Sequence, residues 1–281
     1  MKKFAALVIA LLLPLGSAQT SELAAYQMPR TQVVPIKDAK TDRHYEVYVK
    51  LPESYSEDTG KLFPVIYTTD AVWHMDLLSG TAEFLMPDAI LVGISWQKDA
   101  TKEIDDTRPH VSRFRDYSMI LHENPDIQAK YKMGQASNHL TFIRDDVVQY
   151  IEANYRTAPG KKAYLGYSMG GSFGAYILLA KPDTFNHYIL GSPAFDQRDI
   201  EYLTDMPATR DGTNTHVFVS IGEQEETKMG VTKSFMSLLQ RQTDKGLSHT
   251  DLQIIGDSDH MTAVPETFMR GIKWLSKLTA E

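Results

Sequence analysis

The chain contains no cysteine. Disulfides, thiolate metal sites, a cysteine nucleophile and lipid attachment through an N-terminal cysteine are therefore all excluded. A protein without such staples has to be held by its core, and 281 residues are enough to build one. Long apolar runs are also scarce. Beyond the N-terminus no segment is apolar enough to cross a bilayer, which takes about 20 consecutive apolar residues. Excess positive charge is lacking too: the net charge is −7, and no basic stripe interleaves with aromatic residues. Nucleic-acid affinity comes largely from phosphate neutralisation, so nonspecific binding to nucleic acid is disfavoured. There is no internal repeat, low-complexity tract or long linker.

What is present begins with an N-terminal address. Lys2 and Lys3 precede an apolar run from Phe4 to about Leu15, and Gly16, Ser17 and Ala18 place small residues where a signal peptidase reads. This pattern predicts a cleaved signal peptide over residues 1–18, a mature start at Gln19 and a periplasmic or secreted protein with no membrane span. Residues 19–281 read as a single domain.

Arg43 to Leu51 alternates, with Tyr45, Val47, Val49 and Leu51 on one face, as in a half-buried strand. Phe63–Thr69 and Ala89–Ser95 are short apolar runs of the kind that is buried on both faces. Residues 97–138 are polar and weakly patterned. They read as an excursion over the active-site face, in which Met119, Tyr131 and Met133 supply apolar cover for a ligand. From Leu140 to Tyr155 the apolar period is helical. Further strands are expected at Ala163–Tyr167, His187–Leu190, His216–Ile221 and Asp251–Ile255, with helices at Met169–Ala180, Thr227–Lys245 and Val264–Leu278. Strands alternating with helices predict an α/β fold: a mostly parallel sheet covered on both faces.

The chemistry concentrates in Lys162 to Gly171, where Gly166-Tyr167-Ser168-Met169-Gly170 forms G-x-S-x-G between a strand and a helix. A nucleophile elbow needs this setting. The serine sits on a strained turn with its hydroxyl exposed, and the flanking glycines let neighbouring backbone pass. The N–H of Met169 falls at the helix N-terminus, suited to an oxyanion. Against this stands a plain glycine-rich turn with a structural serine, which the strand–turn–helix context disfavours.

A serine hydroxyl needs a base, and the expected chain order is Ser, acid, His. Of nine histidines only His249 and His260 lie beyond the next two strands. His249 precedes the Asp251–Ile255 strand and so falls at the wrong edge of the sheet. His260 follows that strand and leaves by the same carboxyl edge as the elbow. The acid should follow the strand at 216–221, where Glu223, Glu225 and Glu226 all qualify and charge alone does not choose among them. A second oxyanion donor is expected in Thr69–Trp73, from the N–H of Val72 or Ala71, with Asp70 orienting that loop. Trp73 is more often packing than ligand contact, but a tryptophan beside a pocket can also bind substrate.

These residues resemble the "putative esterase" family of α/β-hydrolases, which includes esterase D-like, siderophore, feruloyl and mycolyltransferase members. The resemblance runs from about residue 30 to the C-terminus. It rests on Ile66–Ala71, Arg113–Ser118, Phe142–Thr157, the elbow at 166–171, Ser192-Pro193 and His260–Pro265. It implies an α/β-hydrolase fold, Glu225 as the acid (three residues after Gly222) and Val72 as the second oxyanion donor. Ala71 replaces the family's usual glycine. Ser192–Phe195 lacks the tryptophans common in siderophore-esterase-like members, which weighs against a siderophore substrate, as does the net acidity.

The sequence thus predicts a carboxylic-ester hydrolase acting on a small-molecule ester. Ser168, Glu225 and His260 are catalytic, Met169 and Val72 hold the oxyanion, Trp73 lies against substrate, and neither metal nor organic cofactor is needed. Two rivals remain: an acyltransferase using the same triad, and a non-catalytic binding protein on the same fold.

Overall fold

The computed structural model describes residues 25–206, 214–243 and 246–279; the expected signal peptide lies outside them. The strands are β1 (Thr31–Lys37), β2 (His44–Lys50), β3 (Phe63–Thr68), β4 (Ile90–Ile94), β5 (Thr157–Tyr167), β6 (His187–Gly191), β7 (Thr215–Gly222), β8 (Leu247–His249) and β9 (Gln253–Ile255). They form one sheet in the order β1-β2-β4-β3-β5-β6-β7-β8, with β9 also pairing with β7. The pairs β1–β2 and β2–β4 are antiparallel, and every later pair is parallel.

Alternate strand residues feed two cores. On one face Ile66, Leu91, Leu165, Ile189 and Phe218 meet α1 (Ala71–Leu85) and α9 (Val264–Thr279) through Met75, Leu78, Phe268 and Ile272. On the other, Val65, Tyr67, Val92, Tyr164, Leu190 and Val219 meet Phe173 and Ile177 of α6 (Met169–Ala180) and Leu238 of α8 (Glu226–Gln240). Cover on both faces explains why β4 and β6 are buried along their whole length. Each such aliphatic or aromatic side chain contributes about 1.5–3 kcal/mol.

The structure departs from the sequence expectations at several points. Strand β1 was not expected; its outward residues are polar or exposed. The loop expected at Thr69–Trp73 turns at once into α1, so Val72 and Trp73 lie on a helical first turn. The helix expected from Leu140 is α4 (Ala136–Phe142), a π turn at Ile143–Val148 and α5 (Gln149–Asn154), which keeps Leu140, Ile143, Val147 and Ile151 all buried. Helix α8 ends at Gln240, short of the expected Lys245. The strand expected at Asp251–Ile255 is shortened to β9, and an unexpected short strand, β8, precedes it; both pair with β7 in parallel.

The polar excursion contains α2 (Ser112–Asp116) and α3 (Pro125–Tyr131). A buried polar network pins its base. The fully buried Arg115 donates to Asp116 Oδ1 at 2.7 Å and to Gln97 Oε1 at 2.6 Å, while Tyr45 of β2 donates to Asp116 Oδ2 at 3.2 Å. Arg43 grips Glu103 at 2.7 and 2.9 Å and Gln135 at 3.2 Å. The segment closes where the Gln135 N–H reaches the Arg115 carbonyl and the Ala136 N–H reaches that of Ser118. Helix α7 (Gln197–Asp205), not anticipated from sequence, faces the excursion and is stopped at its start by a capping box between Asp196 and Asp199. Among the described residues no helix is long and apolar enough to cross a membrane.

Candidate active site

Strand β5 ends at Tyr167 and α6 begins at Met169, leaving Ser168 alone on the turn with φ 56° and ψ −122°. A positive φ at a non-glycine residue costs on the order of 1–3 kcal/mol and persists only where its surroundings enforce it. Here the Ser168 N–H donates to the Gly191 carbonyl at 2.9 Å, and its own carbonyl accepts from Ala194 at 3.1 Å and Ser172 at 3.0 Å. The glycines serve the same geometry. A Cβ on Gly166 would lie 2.2 Å from the Gly170 carbonyl oxygen, and one on Gly170 would lie 2.6 Å from Thr69 Oγ1.

Three side chains meet at this turn. Ser168 Oγ lies 2.9 Å from His260 Nε2, and His260 Nδ1 lies 2.6 Å from Glu225 Oε2. The carboxylate can only accept, so Nδ1 carries the proton and Nε2 is free to take one from the serine. Each partner is placed by local structure. Glu225 is the cap residue before α8, and its other oxygen accepts the Gly222 N–H at 2.9 Å. Gly222 is required there because a Cβ would lie 2.5 Å from the Ser258 carbonyl, on the loop that carries the histidine. That loop is turned by Asp259, whose Oδ1 accepts the N–H groups of Met261 and Thr262. Tyr167 then donates to the His260 carbonyl at 2.7 Å.

Burial by itself would raise the Glu225 carboxyl. Hydrogen bonds from His260, Ser192 and the Gly222 N–H outweigh it and leave the group below its ordinary value, so it stays ionised. Its neighbours are differently occupied. Glu223 Oε2 accepts the Asp257 N–H at 2.8 Å, and Glu226 is exposed in the first turn of α8. His249, the discarded histidine, bonds to the Thr250 carbonyl and to Gln240, away from the elbow.

Two helix starts adjoin at the elbow, where the Thr69–Asp70 corner packs against Gly170. The N–H of Met169 is at the first position of α6, and that of Val72 at the second position of α1, places where a helix leaves amides without an intrahelical partner. The corner before α1 is rigidly held. Asp70, in the left-handed region at φ 54°, is fully buried and accepts from Trp96 Nε1 at 2.6 Å and from Arg113 at 3.1 and 2.9 Å. The Tyr164 hydroxyl bridges Thr69 Oγ1 and the Gly170 carbonyl at 3.0 and 2.8 Å, tying this corner to the elbow. His74 bonds through Nδ1 to the Thr69 carbonyl at 3.1 Å, and burial lowers its basicity.

Beside the elbow lies a cavity of about 380 Å³, walled by Phe114, Met119, Tyr131, Met133 and Met169. The residues expected to give apolar cover, Met119, Tyr131 and Met133, all line it. Trp73 does not line this cavity. It is about half exposed, its ring 4.7 Å from Trp96 and 5.2 Å from His110, with the Arg113 guanidinium 5.0 Å above it.

The sequence profile of the "Putative esterase" family matches residues 39–261. The chain belongs to this family. Ferri-bacillibactin esterase BesA of Bacillus subtilis is 29% identical over 185 residues, covering 60% of this chain and 60% of BesA, less than two thirds of that relative's length. An IroE-like serine hydrolase from Shewanella oneidensis superposes with a TM-score of 0.70 at 22% identity, over 88% of this chain and 80% of that one. Siderophore hydrolase EstA from Aspergillus nidulans does so with a TM-score of 0.69 at 20% identity, over 92% of this chain and all of that one, 100%. At these identities the structures establish the fold, which is that of the α/β-hydrolases.

Within this esterase fold the sequence reading missed the residues that hold the site: Tyr164, Tyr167, Ser192, His74, Trp96 and Arg113. Arg113 had a signal in the Arg113–Ser118 motif and Asp70 was expected to orient its loop, but neither signal showed that the two pair. The tyrosines sit in an apolar strand, where a hydroxyl group cannot be told from packing.

Proposed function

We propose that this protein is a serine esterase that cleaves a carboxylic ester through an acyl-enzyme, and that its natural substrates are siderophore-type esters. The observation that carries the reading is the continuous hydrogen-bonded path from Ser168 Oγ through His260 to Glu225, at 2.9 and 2.6 Å. In this scheme His260 takes the Ser168 proton as the hydroxyl attacks the carbonyl. Glu225 holds the imidazole in the productive tautomer and stabilises the imidazolium. The N–H groups of Met169 and Val72 receive the oxyanion; loss of one such donor typically costs about 10²–10³ in rate. His260 then protonates the leaving alcohol and activates water. The His260 side chain is 39% exposed, which supports water rather than a sequestered acceptor as the second nucleophile. The N-terminal pattern supports export to the periplasm or medium.

The substrate class draws on relatives whose names include a ferri-bacillibactin esterase and a siderophore hydrolase. It runs against the missing tryptophans after Ser192, so the test has two arms. With 4-nitrophenyl acetate, the Ser168→Ala variant should lose about 10⁶ in kcat and all labelling by a fluorophosphonate, on the scale of nucleophile deletions elsewhere. Retained turnover would overturn the mechanism. With a metal-free catecholate trilactone, kcat/KM should exceed that for simple aryl esters; a lower value would remove the siderophore assignment and leave the esterase intact.

A further inference from the structure

We propose that the cavity beside the elbow is the acyl pocket and that it selects a bulky, uncharged acyl group with a large aromatic or aliphatic surface. This rests on the esterase reading above and specifies its substrate side.

The position follows from the elbow's own hydrogen bonds. The cavity is bordered by Met169, Ser172 and Ala194. The last two donate their N–H groups to the Ser168 carbonyl, at 3.0 and 3.1 Å, so the cavity wall is continuous with the turn that presents the serine. The side follows from the proton path. The base hands its proton to the leaving alkoxide, so the alcohol part of the ester must lie against His260. No residue of the 256–262 loop lines the cavity, nor does Val72 or Trp73. A space that borders the turn carrying Ser168, though not Ser168 itself, and avoids the histidine is where the acyl substituent goes.

Its chemistry follows from the walls. Met119, Met133 and Met169 bring three thioethers to the same walls as the rings of Phe114 and Tyr131, whose centroids are 5.1 Å apart. Thioethers are polarisable and rotate freely, and they fit irregular or aromatic groups without a fixed shape. An acetyl group would leave almost all of about 380 Å³ unfilled. Each further buried methylene raises kcat/KM about fourfold. The polar lining holds carboxylates and His122, whose Nδ1 accepts the Asn124 N–H, and no free lysine or arginine. Asp196 and Asp199 contribute to it from the start of α7. Arg198 between them is already engaged by Glu123 at 3.2 Å and the Leu121 carbonyl at 3.3 Å. Burial raises the Asp199 carboxyl to about 6, so at pH 8 it is ionised and meets an anionic acyl chain with like charge.

The test uses 4-nitrophenyl acetate, pentanoate, benzoate and hemisuccinate at pH 8 with the wild type and with Met133→Trp, which fills the cavity. In the wild type kcat/KM should rise from acetate to benzoate by about tenfold or more, and hemisuccinate should fall below pentanoate, its uncharged counterpart of similar length. Met133→Trp should cut the benzoate-to-acetate ratio by about tenfold, while the ratio between acetates of a small and a large alcohol stays as in the wild type. Met119→Phe, from another wall, gives the same readout if the first variant does not fold. A flat acyl series, a benzoate-to-acetate ratio unmoved by both variants, or hemisuccinate equal to pentanoate would overturn the pocket while acetate hydrolysis left the esterase reading standing. Absence of turnover on every ester would instead remove the esterase reading.

Discussion

Glu225 differs from Glu223 and Glu226 by its place on a turn, not by its chemistry. Only Glu225 is buried, and only its carboxylate is fixed at both oxygens, by the Gly222 N–H and by His260. Three carboxylates in four residues look equivalent along the chain. The glycine three positions earlier separates them, because Gly222 is the point where the histidine loop crosses too closely for any side chain. Removing the charge while keeping the shape should expose the role. Glu225→Gln is expected to lower kcat by about 10⁴, the scale seen when a triad carboxylate becomes an amide and the histidine adopts the wrong tautomer. Glu223→Gln, which leaves the histidine's partner intact, should change kcat little. Steady-state kinetics on one aryl ester compares the two, and equal losses would mean that the loop as a whole, not one carboxylate, holds His260.

At the scale of elements, the oxyanion site proposed above requires the start of α6 and the corner between β3 and α1 to approach closely. Gly170 sets that approach. Adding a methyl group there would put it 2.6 Å from Thr69 Oγ1 and 3.3 Å from Asp70 Oδ2, both on a corner held by Tyr164, Trp96 and Arg113. Gly170→Ala should therefore fold with a loss of about 1–3 kcal/mol, as overpacked sites do. Its kcat should fall by about 10²–10³ as one oxyanion donor is displaced. Calorimetry and kinetics together check this; full activity at reduced stability would separate the corner from the chemistry.

Elements carrying a strong local pattern were legible. The alternating β2, the apolar β4 and β6, and α6 with a glycine elbow before it all match the structure closely. Helix α1 was not, because beside α9 on the sheet it exposes Val72, Trp73 and Phe84 and carries Ser79 and Gly80 in its second half, and so shows no clean polar stripe. The Leu140 helix read correctly by its apolar period, but periodicity does not reveal a π turn that slips one residue and keeps the same face inward. The meeting of Ser168 with His260 was legible because strand ends sort residues by edge of the sheet, whereas Glu225 was separated from its neighbours only by the family resemblance. Its supporting tyrosines were not, because their contacts join residues far apart in the chain.

For the whole molecule, buried histidines make stability depend on pH. Burial lowers the basicity of His74, His139 and His187, the last to about 4 with help from neighbouring His216 and Lys161. The unfolded chain binds protons at these sites from about pH 6.5, before the folded chain does. Their contribution is therefore present above pH 6.5 and is lost as pH falls towards 4. Asp199, raised to about 6 by burial, and Asp146, also raised by burial, act in the opposite sense between their unfolded and folded values, while His110 and His216, lowered by burial, add to the three histidines. Melting temperature should fall steadily from pH 7 to pH 4. His187→Gln, which cannot be protonated, should flatten that slope by on the order of 2 kcal/mol at pH 4. A slope identical to wild type would assign acid sensitivity elsewhere.

The polar lock beneath the excursion has a consequence for diversification. Arg115, Asp116, Gln97 and Tyr45 fasten its root to the sheet, and the Gln135 and Ala136 amides fasten its return, so residues 119–134 leave and re-enter at fixed points. That stretch supplies Met119, Tyr131 and Met133 to the cavity, yet none of these three belongs to the lock. The segment is therefore an exchangeable cassette: descendants of this scaffold can trade it for another and acquire new tastes while Ser168, His260 and Glu225 beneath keep their alignment.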